Sequence, residues 1–201
     1  MNEKFDRQLL FKSFESCLIK CEYSIHDVSL SEYITAYEEI KKFLRKLGTL
    51  FGFVVLDVSQ RLEILKKYMQ KHPEHYGTLH SFLKYEKSNI MFETTSATQT
   101  LLPLHRALRF ITLFLERLHS ADTKFNSTQL CTQTYEETIA KYHPWVIRQG
   151  AKLAMMGLPK RDVLVGYIIP NEDYIGEFRK FIENVQIVYN ISQIHFDKYP
   201  L

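Results

Sequence analysis

The sequence is poor in the residues that make turns and cross-links. Its 201 residues contain 7 Gly, 6 Pro and 3 Cys, against 14 Phe and 12 Tyr. So few turn formers argue against an all-β fold with many hairpins, and helices should dominate. The cysteines, Cys17, Cys21 and Cys131, are an odd number without CxxC spacing, which indicates neither a disulfide framework nor a zinc site. We therefore expect an all-helical protein of a reducing compartment, with no metal and no cofactor.

Long apolar runs and a strong charge imbalance are also lacking. No stretch approaches the 18 apolar residues of a membrane span, and the opening MNEKFDRQLL carries charges where a secretory signal needs an apolar centre. The 26 basic and 23 acidic residues give a formal net charge of +3, too mild for a nucleic-acid-binding protein. We expect a cytoplasmic protein, peripheral to membranes and weakly attracted to anionic ones, that binds no nucleic acid. For its oligomeric state, a monomer is the working expectation.

Motifs for catalysis are missing as well. The chain has no GxSxG, GxGxxG or GxxxxGK[ST] sequence. His72, His75 and His80 cluster around a proline but without HExxH order or nearby cysteines, so they are interpreted as surface residues rather than metal ligands. No residue is identified by its sequence context as a nucleophile, and we predict that the protein is not an enzyme.

Helical periodicity is what the sequence has in abundance. Apolar residues recur at steps of three and four within the segments 33–51, 101–118 and 178–188. Additional apolar residues fall off these stripes, and helices with two apolar faces must lie between layers. Short polar breaks occur at residues 72–74, 93–96, 120–127, 158–160 and 170–172, and none is long enough to separate domains. The pattern predicts one domain over residues 1–201, a two-layer all-α sandwich of about eight helices with surplus apolar surface for a pocket.

Asp57 and Arg61 form the first candidate constellation. Asp57 ends the apolar run 51–56, and Arg61 follows four residues later on the same helical face. The segment 57–60 also has the form of a capping box, in which Asp57 would start a helix. The alternative is that both side chains point outward as acceptor and donor for a polar headgroup. Spacing alone leaves both interpretations open.

His143 is the second candidate, because it stands directly before Pro144 and the only tryptophan, Trp145. The proline restricts His143 to extended conformations and interrupts a helix running in from Tyr135. The imidazole is therefore held at a bend between two helical stretches. There it either faces a ligand or caps the incoming helix through a backbone carbonyl.

Taken together, these residues resemble the glycolipid transfer protein superfamily. The resemblance rests on six segments in the family's order, which are 31–37, 43–51, 57–61, 104–108, 142–145 and 188–193. It covers nearly the whole chain. Within the superfamily the chain looks most like the ceramide-1-phosphate transfer branch, because Arg61 is basic where the glycolipid branch has asparagine.

The resemblance implies a two-layer all-α sandwich that takes lipid chains between its layers. It also implies that Asp57 accepts hydrogen bonds from the ceramide amide and hydroxyl, that Arg61 binds phosphate and that His143 donates to the amide carbonyl. The chemistry of each group suits its part, since a carboxylate only accepts and a guanidinium forks onto phosphate oxygens. The residues expected along the apolar pocket are Phe43, Phe53, Phe110, Phe114, Tyr142 and Val146.

One departure from the family pattern concerns the headgroup. The ceramide-1-phosphate branch carries two arginines where this chain has Gln99 and Pro103, and the glycolipid branch has at the second place a tryptophan that stacks on sugar. Arg106, one turn beyond Pro103, either compensates at the headgroup periphery or is tied to a neighbouring helix. The expected function is non-vesicular transfer of a ceramide-based sphingolipid, with ceramide-1-phosphate first. The alternatives are a ceramide-lipid sensor with weak transfer and a carrier of a different headgroup.

Overall fold

The computed structural model describes residues 4–21, 24–89, 96–121 and 124–200. Within these ranges the chain forms nine α-helices and one β-hairpin. The helices are α1 (Arg7–Ser16), α2 (Leu30–Lys46), α3 (Gly52–Lys71), α4 (Leu79–Asn89), α5 (Ala97–Ser120), α6 (Ser127–Thr138), α7 (Trp145–Met156), α8 (Arg161–Ile168) and α9 (Ile175–Lys198). The antiparallel strands β1 (Leu18–Cys21) and β2 (Ser24–Val28) join α1 to α2, and 3-10 turns occupy Thr49–Phe51, Ala140–Tyr142 and Glu172–Tyr174.

Side-chain caps start several of these helices. The side chains of Asp6, Ser29, Ser96 and Asn126 each accept a hydrogen bond from a backbone N–H of the first turn of α1, α2, α5 and α6, which satisfies a donor that the helix itself leaves unpaired. The buried Glu86 carboxylate of α4 adds to this at α5, where it accepts from the backbone N–H groups of Ala97 and Thr98 at 2.8 Å each. These hydrogen bonds fix the position at which the long helix α5 begins.

The helices pack side by side in two layers around one apolar core. Helix α1 lies against α2 and α9, α2 against α3, and α5 against α3, α6 and α9. The three periodic stripes supply much of the core, because all four residues of the α9 stripe are buried, as are most of those on α2 and α5. Burial raises the pKa of the Cys131 thiol to about 12, so this core cysteine stays protonated and apolar in character.

The expected all-helical, two-layer architecture is confirmed, with two differences. The described ranges hold nine helices rather than about eight, and the β1–β2 hairpin was not predicted because its strands are only four and five residues long. The predicted breaks at 72–74, 158–160 and 170–172 fall between α-helices, and the break at 120–127 runs from the last residue of α5 to the first of α6, with residues 122–123 outside the described ranges. The break at 93–96 is described only at Ser96, the N-cap of α5, and residues 93–95 lie outside the described ranges.

A small apolar cavity of about 70 Å³ lies in this core. Helices α1, α2, α5, α6, α8 and α9 all contribute to its wall, and the side chains around it are almost wholly hydrocarbon. Among the described residues, no helix is both long and apolar enough to cross a membrane, and no group of three or more His, Cys, Asp or Glu side chains is arranged to hold a metal ion.

Candidate functional site

Asp57 and Arg61 form a two-point ion pair on the surface of α3. The Arg61 Nε donates to Asp57 Oδ2 at 2.9 Å and Nη2 donates to Oδ1 at 3.0 Å. The Asp57 side chain is 55% exposed and that of Arg61 26%. Since α3 begins at Gly52, Asp57 lies inside the helix and the capping-box interpretation is wrong. The pair points outward, as the alternative interpretation expected.

Arg61 also reaches across to α5. Its Nη1 donates to the backbone carbonyl of Thr100 at 3.4 Å, in the turn that precedes Pro103. Pro103 lies inside α5, where it cannot donate to the carbonyl of Gln99 and its ring crowds that carbonyl. Arg61 therefore donates a hydrogen bond to the α5 backbone next to the turn that Pro103 disturbs. The N–H groups of its guanidinium that do not bond Asp57 or Thr100 remain for other acceptors.

His143 lies at the predicted bend, between the 3-10 turn Ala140–Tyr142 and α7, with extended backbone angles of φ −105° and ψ 134°. Its Nδ1 is 2.8 Å from the hydroxyl of Tyr135, on α6. This nitrogen therefore bonds a side chain and does not cap the incoming helix through a backbone carbonyl. Partial burial lowers the pKa of His143, while the nearby Asp57 carboxylate raises it by less. The imidazole is thus neutral at pH 7 and close to Asp57.

Arg106 belongs to the same neighbourhood. Its guanidinium carbon lies 4.0 Å from the centre of the Tyr142 ring, a cation–π contact that ties α5 to the turn before His143. Gln99 is exposed and lies two turns before Arg106 along α5, and Pro103 is half-buried and lies one turn before it. The structure therefore brings α3, α5 and the bend at His143 together, with Asp57, Arg61 and Arg106 as their charged groups.

The residues expected along the pocket divide into two sets. Phe43, Phe110 and Phe114 line the apolar cavity. Phe53, Tyr142 and Val146 lie outside its wall and are 42%, 45% and 70% exposed. Sequence alone could not separate them, because an apolar residue off the main stripe of a helix faces a second layer in one case and solvent in the other.

An exposed apolar surface, not singled out from the sequence, lies along α7 and the start of α3. We call it the α7 surface, and Leu50 joins its two parts by packing against Gly157 at the end of α7. Trp145 and Val146 are 66% and 70% exposed, at the start of α7 beside His143. The residues of the α7 surface are Leu50, Phe53, Leu56, Trp145, Val146, Leu153 and Met156.

Two aromatic rings connect the apolar cavity with this polar cluster. Phe110 lines the cavity and meets the ring of Tyr135 edge-on, with 6.4 Å between centroids, and Tyr135 in turn bonds His143. A cluster of hydrogen-bonding groups at the end of an apolar space between helical layers is the arrangement of a protein that holds an amphiphile.

Comparison with known proteins identifies the family. The sequence profile of the glycolipid transfer protein (GLTP) family matches residues 28–169, and the chain belongs to that family. It is similar to the ceramide-1-phosphate transfer proteins of Xenopus laevis, with 31% identity over 99% of this chain and 96% of that protein, and of Bos taurus, with 33% identity over 100% and 97%. The predicted family resemblance is confirmed.

Solved structures agree with this membership. The structure of human ceramide-1-phosphate transfer protein in complex with 2:0 ceramide-1-phosphate is similar to this chain with a TM-score of 0.85 and 32% identity, over 98% of this chain and 97% of the other. The fungal glycolipid transfer protein HET-C2 shares the fold with a TM-score of 0.83 at 20% identity.

Proposed function

We propose that this protein binds a ceramide-based sphingolipid, with ceramide-1-phosphate as its principal cargo, and moves it between membranes without changing it chemically. The observation that carries the proposal is the Asp57–Arg61 pair, whose carboxylate acts on His143, together with the link from His143 through Tyr135 to Phe110 in the wall of an apolar cavity. The chain is similar over nearly its full length to ceramide-1-phosphate transfer proteins of other organisms, which supports this cargo.

Each group has hydrogen-bonding capacity that matches one part of a ceramide. The Asp57 carboxylate can only accept, so it suits the amide N–H and the sphingoid hydroxyl. The neutral imidazole of His143 has one nitrogen bonded to Tyr135, which leaves Nε2 for the amide carbonyl. Asp57 is acceptor to both Arg61 and the lipid in this arrangement, and its two oxygens offer enough lone pairs for that.

The phosphate would meet Arg61 first and Arg106 second. Guanidinium groups bind phosphate oxygens through paired, charge-assisted hydrogen bonds. Both arginines already have partners, Asp57 and Thr100 for Arg61 and Tyr142 for Arg106, so a phosphate must share or displace them. Gln99 and Pro103 add no charge at this end of α5. Selection for phosphate therefore depends on two cations.

The apolar cavity would receive the lipid chains, with Phe43, Phe110 and Phe114 in its wall. At about 70 Å³ it is far smaller than a sphingoid chain, so entry must separate the side chains of facing helices. Its wall offers no charged group, and each buried methylene would contribute about 0.8 kcal/mol. Chain burial thus supplies much of the binding free energy, and the headgroup cluster supplies selectivity.

The α7 surface would face the bilayer during exchange. Apolar side chains that are exposed together in one region mark a site of contact with a membrane or another protein. Trp145 and Val146 lie directly after His143 and Pro144 in the chain, so docking there would bring the headgroup cluster to the membrane surface. Tryptophan is the residue that lipid–water interfaces favour.

The proposal is tested by transfer of fluorescent lipids between donor and acceptor vesicles, with ceramide-1-phosphate, ceramide, sphingomyelin and a glycosylceramide as cargoes. We expect transfer of ceramide-1-phosphate to be fastest and unaccompanied by any product. Binding without transfer would instead indicate a sensor, and preference for another headgroup would indicate a different cargo. Recovery of phospholipids without a sphingoid base in lipids extracted from the purified protein would contradict the ceramide assignment.

A further inference from the structure

Tyr135 is a buried residue that lies behind His143 in the headgroup cluster. Its hydroxyl is 2.8 Å from His143 Nδ1, and its side chain is buried, with the residue 2% exposed. Its ring contacts Phe110, which lines the apolar cavity. Tyr135 therefore joins the wall of the cavity to the imidazole at the bend.

The direction of this hydrogen bond decides what His143 can offer a ligand. A neutral imidazole carries one N–H, on either Nδ1 or Nε2. If the Tyr135 hydroxyl donates to Nδ1, the proton must be on Nε2, and Nε2 can donate to a ligand carbonyl. If the hydroxyl accepts from Nδ1, Nε2 is an acceptor and would repel a carbonyl oxygen. The charges around Tyr135 and the donor and acceptor strengths of the two groups bear on this direction.

Arg148 favours donation by the Tyr135 hydroxyl. It lies on α7, one turn after Pro144, and its cation acts on Tyr135. Its Nε is buried without an acceptor among the described residues. A cation beside a phenol attracts the oxygen lone pairs and repels the hydroxyl proton, which favours a proton turned toward His143.

Glu136 acts on Tyr135 in the opposite sense and more strongly than Arg148, although it has a partner of its own. Its Oε1 is 3.0 Å from the Nζ of Lys152, one turn after Arg148 on α7. Both side chains of that pair are more than 40% exposed, so water screens their charges. The two charges therefore oppose each other, and the direction follows from the groups themselves, because the phenol O–H is the stronger donor and the more basic imidazole nitrogen is the stronger acceptor.

We propose that Tyr135 is a positioning residue that donates its hydroxyl proton to His143 Nδ1 and so holds the imidazole proton on Nε2, where it can donate to an acceptor oxygen of the ligand. The identity of that oxygen, the ceramide amide carbonyl, rests on the proposed function. The tautomer itself is a property of the protein without lipid.

The test is the tautomer of His143 in lipid-free protein, measured by NMR of ¹⁵N-labelled histidine, with His143→Gln used to assign its signals. In the wild type we expect a pyridine-type Nδ1 and a protonated Nε2. In Tyr135→Phe we expect a mixture of both tautomers. Ceramide-1-phosphate binding by that variant should weaken about fivefold, the effect of one neutral hydrogen bond.

A matched control is Tyr189→Phe, which removes a hydroxyl 3.4 Å from Gln193 on a ring stacked against a different histidine, His105. It should leave the His143 signals and lipid binding unchanged. Equal effects of Tyr189→Phe and Tyr135→Phe on the His143 signals would overturn the proposal.

The wild-type measurement decides the matter even if Tyr135→Phe folds poorly. A proton on Nδ1 of His143 in the wild type would overturn the positioning role. A protonated Nε2 in the wild type that becomes a mixture of tautomers in Tyr135→Phe would support the positioning role. If the same protein transferred no sphingolipid, only the proposed function would fail.

Discussion

Replacing Asp57 with asparagine tests the headgroup assignment most directly, because the change preserves shape and removes only charge and one acceptor oxygen. Asp57 is 55% exposed and its ion pair with Arg61 lies on the surface of α3. Exposed pairs of this kind contribute at most about 1 kcal/mol to stability. Asp57→Asn should therefore fold normally, with an unchanged circular dichroism spectrum and a small change in Tm.

Lipid binding should respond far more strongly than stability. Loss of one charge-assisted hydrogen bond to the ligand costs about 1.5–3 kcal/mol, which weakens binding roughly 10- to 150-fold. For ceramide-1-phosphate a second effect opposes this loss of affinity, because Arg61 loses its partner and becomes freer to bind phosphate. The loss should therefore be larger for ceramide than for ceramide-1-phosphate, and larger again for Asp57→Val.

The assay is vesicle-to-vesicle transfer of both lipids, with Glu63→Gln as the matched control. Glu63 is an exposed acid on the same helix, paired with Lys66 at 3.4 Å, and lies away from His143 and Arg106. If Asp57→Asn and Glu63→Gln behave alike with both lipids, the Asp57 carboxylate is not the ligand's acceptor. If Asp57→Asn unfolds, the ion pair is structural and the assignment fails.

Four further outcomes are expected. Arg61→Leu should weaken ceramide-1-phosphate transfer at least about tenfold with ceramide transfer little changed, and equal loss of both would contradict a phosphate role. Gln99→Arg combined with Pro103→Arg should raise ceramide-1-phosphate transfer and Tm together, since the pair adds two cations and restores a helical donor, and a lower Tm would contradict this view of Pro103. Burial lowers the pKa of His105 to about 4 from an ordinary value near 6.5, so its stabilising effect is complete above pH 6.5 and should fall by about 3 kcal/mol between pH 7 and pH 4, which urea unfolding of wild type and His105→Gln would measure. Val146→Glu should reduce vesicle transfer while leaving binding of short-chain lipid in solution unchanged, and unchanged transfer would contradict docking through the α7 surface.

Most of the helical architecture follows from local rules that a sequence displays. The steps of three and four on α2, α5 and α9 define a buried face without any tertiary information, and capping residues such as Ser96 and Asn126 define where helices start. The β1–β2 hairpin could not be predicted, because short strands without strong alternation depend on their packing against α1 and α9. The start of α3 was also ambiguous, since Gly52 carries no capping side chain.

The site was predictable where one helix carries both partners. Asp57 and Arg61 pair because a helix places residues four apart side by side, whatever the rest of the fold does. Tyr135 and His143 are eight residues apart across a 3-10 turn, and no periodicity joins them. The contact of Arg106 depends on the position of Tyr142, and the exposure of Phe53 depends on which face of α3 meets solvent. Both are determined by packing between elements, which the sequence does not display.

In the proposed binding scheme, Arg61 links headgroup binding to the backbone of α5. Its guanidinium bonds the Asp57 carboxylate and, at 3.4 Å, the Thr100 carbonyl. A phosphate that binds Arg61 must therefore compete with the backbone of α5 as well as with Asp57. Pro103 leaves a different carbonyl, that of Gln99 one residue before Thr100, without its helical donor. An arginine at position 103 would return a backbone N–H to the Gln99 carbonyl and would add a cation that does not have to leave Asp57 or Thr100, so we expect this change to strengthen both α5 and phosphate binding.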